Sequence, residues 1–152
     1  MHPHSQIQRR FRDRLSGGER LLGTFLKTAT GHATEILGGA GFDFVVVDAE
    51  HAPFSRSDID ILMLAARAAG VPSIVRVASA DESHLQTALD CGAAGVLVPH
   101  VASPARLREV VQACRYQGGA RDSPTRLARA NTARAGSPIT SPTPTHRRRS
   151  SR

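Results

Sequence analysis

Asp48, Glu50 and His51 stand together directly after the apolar run Phe42-Asp43-Phe44-Val45-Val46-Val47, and Arg76 closes a second run, Ser73-Ile74-Val75. Two carboxylates, an imidazole and a guanidinium are the parts of an oxo-acid site. The guanidinium presents a planar fork to a carboxylate or an enolate, and an imidazole held by a carboxylate can carry a proton near neutral pH. His32, His84 and His100 share no metal-ligand spacing and read as structural or solvated. Gly38-Gly39-Ala40-Gly41 lacks the Lys-Ser/Thr of a phosphate loop and follows a helix instead of opening one, so it reads as a turn.

Such residues meet only if neighbouring strands deliver them to one end of a sheet. From Arg20 to Cys114 short apolar runs alternate with amphipathic segments, the pattern of βα units on a parallel sheet. Leu21 to Leu26 reads as a first strand, with a short helix around Ala33 to Leu37 that ends at Gly38-Gly39. Phe42 to Val47 is the second strand, and its helix runs from about Ser57 to Ala69. That helix has Ile59, Leu62, Met63 and Ala66 on one face, Ser57 placed to cap it with Asp60 reaching back, and Gly70 just past its end. Ser73 to Val77 is the third strand, followed by a helix opened by Asp81 or Ser79, with Leu85, Ala88 and Leu89 inward and Gly92 at its close. Gly95 to Val98 is the fourth, followed by a helix capped at Ser103-Pro104 with Leu107, Val110, Val111 and Cys114 as its stripe. The two-residue strand period puts Phe44, Val46 and Asp48 on one face, and Ile74 with Arg76. Ahead of these units, Ile7, Phe11 and Leu15 at helical spacing predict a docked leading helix; the arginines between them also resemble a transit peptide.

Among 152 residues the formal charge of +7 is unevenly placed. Up to Tyr116 there are 12 basic and 12 acidic residues, whereas Gln117 to Arg152 holds 8 basic residues against Asp122 alone. A neutral body with a cationic tail argues against nucleic acid as the partner, and the low aromatic content leaves no base-stacking platform for Arg147-Arg148-Arg149. No stretch approaches the roughly 20 apolar residues that span a bilayer. Cys91 and Cys114 lack CxxC spacing and no apolar leader precedes them, which predicts a reduced, cytoplasmic setting with neither thiol catalytic.

Five blocks carry a resemblance. Gly41 to Pro53, then Val75-Arg76-Val77, Leu89-Asp90-Cys91-Gly92-Ala93, Val96-Leu97-Val98-Pro99 and Cys114-Arg115-Tyr116 together resemble, in order and spacing, the HpcH/HpaI aldolase family of metal-dependent 2-oxo acid aldolases. The resemblance spans about residues 8 to 121 and implies an α/β fold: the first half of a (β/α)8 TIM barrel, about four βα units plus the leading helix. It implies a carbon–carbon lyase that cleaves a 4-hydroxy-2-oxo acid to pyruvate and an aldehyde, with a divalent metal, Mg2+ or Mn2+ and otherwise Co2+ or Zn2+. By the same resemblance His51 is the general base, Asp48 and Glu50 are its supporting acids, and Arg76 holds the pyruvate carboxylate and steadies the enolate. Phe25 stands where the family often has an aromatic residue near the site. The small-molecule partners are the 2-oxo acid and the aldehyde, and intact members form oligomers.

The family's two metal-binding carboxylates follow later strands, and no residue of this chain matches them, so no metal ligand is assigned. The chain departs from the family at Asp122. From there to Arg152 it is rich in Pro, Ser, Thr and Arg, a composition that cannot bury enough apolar surface to offset its chain entropy. The expected division is therefore an ordered half barrel over 1–121 and a disordered basic tail over 122–152. A frameshift near Arg121 would account for the change, and sequencing the source DNA across the codons for Arg115 to Pro124 tests that. The alternative to an aldolase is a noncatalytic fragment or pseudoenzyme of the same family.

Overall fold

The computed structural model describes residues 3–115. Four βα units are present in chain order behind a leading helix: α1 (Pro3–Ser16), β1 (Gly23–Leu26), α2 (Gly31–Gly39), β2 (Phe44–Asp48), α3 (Arg56–Ala68), β3 (Ser73–Arg76), α4 (Glu82–Asp90), β4 (Gly95–Leu97) and α5 (Pro104–Ala113). The strands form one parallel sheet in the order β1-β2-β3-β4. Neighbours in sequence are neighbours in space, the order of half a βα barrel. The expected tail over 122–152 lies outside the described residues. None of the described helices is long and apolar enough to cross a membrane.

The core lies between the sheet and its helices. Leu26, Val47, Val75 and Val77 point to that side and meet Ile59, Leu62 and Met63 of α3, Leu85 and Ala88 of α4, and Val110 of α5. Burying a side chain of this size contributes about 1.5–3 kcal/mol, so this layer sets the register of the sheet. Each strand therefore turns its other residues to the opposite face, where Asp48 and Arg76 lie.

Two contacts are so close that only glycine serves. A Cβ at Gly23 would stand 2.3 Å from the Phe44 ring, and one at Gly38 would stand 2.8 Å from Cβ of Ala69. The first lets Phe44 cover the amino end of β1; the second brings α2 against α3. Phe11 of α1 stacks on Phe44 with ring centroids 5.4 Å apart. Arg14 bonds Asp43 at 2.7 Å, and the Gln8 side chain donates to the Gly92 carbonyl at 2.9 Å. The leading helix thus closes the amino end of the half barrel, leaving the carboxyl end open.

Some boundaries differ from those read in the sequence. Strand β2 begins at Phe44; just before it the Asp43 N–H donates to the Leu22 carbonyl at 2.8 Å while the Asp43 carboxylate accepts from the Leu22 N–H at 2.8 Å and from Arg14. Its far end extends to Asp48, which is therefore a strand residue. The cap of α3 is Ser55, not Ser57. Ser55 Oγ accepts from the Asp58 N–H at 3.2 Å while the Asp58 carboxylate takes the Ser55 N–H at 2.8 Å, so the box Ser55-x-x-Asp58 wins over the overlapping Ser57-x-x-Asp60. The earlier start also supplies the Ser55 carbonyl to Ile59, the first buried residue of the helix. Asp81 opens α4 without a side-chain cap, its carboxylate taken by the Ser79 hydroxyl at 2.6 Å. Ser103 caps α5 as expected, with Pro104 in its first turn. In α1 Phe11 is buried, while Leu15 is exposed.

Candidate active site

Asp48 ends β2 and Arg76 ends β3, and the parallel register sets them opposite each other. The Asp48 side chain is fully buried. A charge there is tolerated only when paired and hydrogen-bonded. Arg76 supplies both: Nε donates to Oδ1 at 2.8 Å and Nη2 to Oδ2 at 2.6 Å, a fork-to-fork pair. The His51 N–H adds a third donor to Oδ1 at 3.2 Å, and Lys27 Nζ stands 3.4 Å from Oδ2. These hydrogen bonds, chiefly those of Arg76, hold the Asp48 carboxyl far below the usual carboxylate range despite the opposing effect of burial. The same pairing raises Arg76.

Arg76 is the centre of the cluster. Its Nε also lies 3.2 Å from Glu50 Oε2, its Nη2 lies 2.6 Å from His51 Nδ1, and its Cζ sits 4.8 Å from the centre of the Phe25 ring. A guanidinium has donors only, so the His51 contact requires the lone pair of Nδ1 and places the neutral ring's proton on Nε2. Of the five N–H groups an arginine offers, those of Nε and Nη2 make the contacts to Asp48, Glu50 and His51. Nη1 has no protein partner among the described residues. Arg76 is therefore anchored through Nε and Nη2.

Asp48, Glu50, His51, Arg76 and Phe25, the five residues singled out in the sequence, thus come together at the carboxyl ends of β1, β2 and β3. Two more were not foreseen. Lys27 follows β1 immediately, level with Asp48, and a charge directly after a strand's carboxyl end was the available signal. His100, read as structural or solvated, reaches Glu50 Oε1 at 3.6 Å from a backbone with φ of 56°. The left-handed conformation follows β4 and carried no mark in the sequence. Cys91 and Cys114 lie elsewhere, and burial pushes both thiols up, away from nucleophilic use.

Asp48, Glu50 and His51 bring three ligand atoms within 4.8 Å of one another, a group of the kind that can hold a metal. As arranged, the three do not fit a resident divalent cation. Both Asp48 oxygens, one Glu50 oxygen and the His51 lone pair all face Arg76, whose guanidinium takes the same lone pairs that a cation would need.

A sequence profile described as HpcH/HpaI aldolase/citrate lyase matches residues 21–135. Hydroxypyruvate/pyruvate aldolase of Roseobacter denitrificans is 38% identical over 106 residues, covering 70% of this chain and 41% of that protein. The 4-hydroxy-2-oxo-heptane-1,7-dioate aldolase of Salmonella dublin is 34% identical over 122 residues, 80% of this chain and 46% of that one. The crystal structure of an HpcH/HpaI aldolase from Desulfitobacterium hafniense superposes with a TM-score of 0.65 at 35% identity, covering 70% of this chain and 42% of that one. The chain thus spans less than half the length of these relatives. With the family profile covering most of its length and the same half-barrel architecture in a solved relative, the chain belongs to the HpcH/HpaI aldolase/citrate lyase family.

Proposed function

We propose that the Asp48–Arg76 cluster is the 2-oxo acid end of an aldolase site, acting on a 4-hydroxy-2-oxo acid and releasing pyruvate and an aldehyde. Family membership supports aldol chemistry on 2-oxo acids. The observation that carries the finer reading is that Nε and Nη2 of Arg76 are fixed by Asp48 while its Nη1 donors have no protein partner among the described residues. A carboxylate meeting those donors finds a cation already oriented, so little is lost in ordering it.

In this reading Asp48 is a positioning residue and Arg76 binds the substrate carboxylate and the enolate that develops beside it. Phe25 stacks under the guanidinium and walls the site. His51 serves as the base. Its Nδ1 lone pair turns from Arg76 to the C4 hydroxyl, a ring movement open to a side chain that is 57% exposed. It takes the hydroxyl proton, the C3–C4 bond breaks, the aldehyde leaves, and the electron pair passes to the enolate, which is then protonated at C3. Glu50, 3.7 Å from Nδ1, stabilises the imidazolium that forms. A divalent metal, Mg2+ or Mn2+ in preference to Co2+ or Zn2+, belongs with the family chemistry, but none of these steps passes through one.

The engagement of all three candidate ligands by Arg76 favours a second reading, a member that binds the oxo acid without turning it over. Pyruvate binding and turnover separate the two. Ligand-observed NMR with pyruvate is expected to show saturable binding that Arg76→Lys weakens at least tenfold; equal binding by that variant, or none by the parent, overturns the site. A coupled assay of pyruvate release from 4-hydroxy-2-oxo acids, with and without Mn2+, then decides between catalyst and binder.

A further inference from the structure

Lys27 is the one lysine among the 20 Lys and Arg residues of the sequence. It stands at the carboxyl end of β1, two residues after Phe25 and so on the same face, the face on which the Phe25 ring meets Arg76. The register sets Leu26 opposite Val47 and Asp48 opposite Arg76, so Lys27, Asp48 and Arg76 form a row across three neighbouring strand ends. The row reads cation, anion, cation. Its middle member is already well served: Arg76 donates to both Asp48 oxygens and the His51 N–H adds a third donor. Lys27 Nζ, 3.4 Å from Oδ2, therefore comes to an oxygen that Arg76 Nη2 holds at 2.6 Å, and two positive heads converge on one atom. The other carboxylate of the cluster, Glu50, meets Arg76, His51 and His100, and among the described residues Asp48 is the acid that Lys27 contacts.

We propose that Lys27 binds the 2-oxo oxygen of the substrate while Arg76 binds its carboxylate, an assignment that rests on the oxo-acid reading above and makes the site selective for 2-oxo acids over carboxylates in general. The two cations differ as the two groups require. A guanidinium is a planar fork matched to the paired oxygens of a carboxylate, whereas an ammonium is a compact charge whose three donors can turn to a single oxygen. In a 2-oxo acid the carboxylate and the oxo oxygen sit on adjacent carbons, and heads that share one Asp48 oxygen are close enough for such a ligand to meet both. When the C3–C4 bond breaks, its electron pair becomes the C2–C3 double bond of the enolate and the negative charge settles on the C2 oxygen. The Lys27 contact therefore strengthens as the reaction proceeds, which is the condition for it to lower the barrier as well as to bind. Lys27 acts by donating a hydrogen bond: it keeps its proton, and no bond forms between Nζ and C2.

Pyruvate and propionate, alike in length and in their carboxylate, differ at C2 alone, and ligand-observed NMR of both on the full 152-residue chain is the test. Pyruvate should be preferred by about tenfold or more, the size of one charge-assisted hydrogen bond. Lys27→Met should bring that ratio close to one with propionate still bound, which reports an intact Arg76 end. If Lys27 merely attracted anions, both ligands would weaken together and the ratio would stand, and that result overturns the proposal. A second measurement needs no variant. One lysine gives one signal, so in a chain labelled with carbon-13 lysine the ε-methylene resonance should move further at saturating pyruvate than at saturating propionate; equal movement overturns the assignment. Borohydride added with pyruvate should leave the mass of the chain unchanged, and a reduced pyruvate adduct on Lys27 would make the contact covalent and overturn it too. A parent chain that binds both acids equally removes the role of Lys27 and leaves the Arg76 site standing, whereas one that binds neither removes the oxo-acid reading and this assignment with it.

Discussion

Arg76 grips Asp48 through two hydrogen bonds, 2.8 and 2.6 Å long, between residues that the sheet register already sets opposite each other. Because Asp48 is fully buried, removing its charge strands a guanidinium that is itself only 19% exposed. Breaking a buried pair from one side costs about 3–5 kcal/mol, against a total of about 5–15 kcal/mol for an ordinary domain. Asp48→Ala should therefore lower the urea midpoint steeply. Replacing both partners, as Asp48→Leu with Arg76→Met, should recover part of the loss, since the buried guanidinium goes with its partner while Glu50 keeps its contacts with His51 and His100. A double variant no more stable than Asp48→Ala would show that the pair itself, and not the stranded cation, carries the energy.

The same pair sets a direction for acid sensitivity. Asp48 is held well below its ordinary value, so above about pH 5 it is ionised in both folded and unfolded chains and its contribution is complete. Below that, the unfolded chain takes up the proton first, and stability falls as the pH drops towards the folded-state value. Asp43, lowered by the Leu22 N–H and by Arg14, and Asp58, lowered by Ser55, act with the same sign. Asp48→Asn should reduce the slope of urea midpoint against pH between about 2.5 and 4 without abolishing it. An unchanged slope would place the acid sensitivity in the other two carboxylates.

The two serines before α3 give a direct comparison. Ser55→Ala removes the observed capping box and should cost about 1 kcal/mol, whereas Ser57→Ala, inside the helix, should change stability by less than about 0.5 kcal/mol. Thermal unfolding followed by circular dichroism reads both. The reverse order would restore the cap expected from the Ser57-x-x-Asp60 pattern.

That pair of overlapping boxes shows where the sequence ran out. The strands and the buried faces of α3 and α4 were readable because apolar spacing carries them: Ile59, Leu62, Met63, Leu85 and Ala88 all lie in the core. The convergence of Asp48 with Arg76 was readable because strand ends in a parallel sheet share one mouth. What local pattern could not rank was two equally formed, overlapping caps, which tertiary packing of Ile59 decides. Nor could it find His100, whose approach to Glu50 depends on a left-handed turn. The metal question was legible only in part, since three ligand types in sequence say nothing about which cation they face.

Thr34 is completely buried in α2, and its hydroxyl has no hydrogen-bond partner among the described residues. A buried polar group left unsatisfied costs about 1–3 kcal/mol, and valine has nearly the same shape. Thr34→Val should raise stability by about 1 kcal/mol, read as a higher urea midpoint at constant slope. A lower midpoint would mean that the hydroxyl is satisfied in solution by an ordered water.

His51 offers the most direct test of the site's resting state. With Nδ1 accepting from Arg76 Nη2 at 2.6 Å, the neutral ring must carry its proton on Nε2. Nitrogen-15 correlation spectra of the imidazole side chains distinguish the two tautomers by the shift of each ring nitrogen. The Nε2–H form should dominate in the free chain. Saturating pyruvate, by drawing Arg76 towards its carboxylate, should loosen the contact and move the Nδ1 signal, while the resonances of His32 and His84, held by Thr30 and Ser79, stay in place. Arg76→Lys should give the shifted Nδ1 signal without ligand. If the free chain shows Nδ1–H instead, the guanidinium does not reach the ring, and the base must be poised by Glu50 or Asp48 from the start.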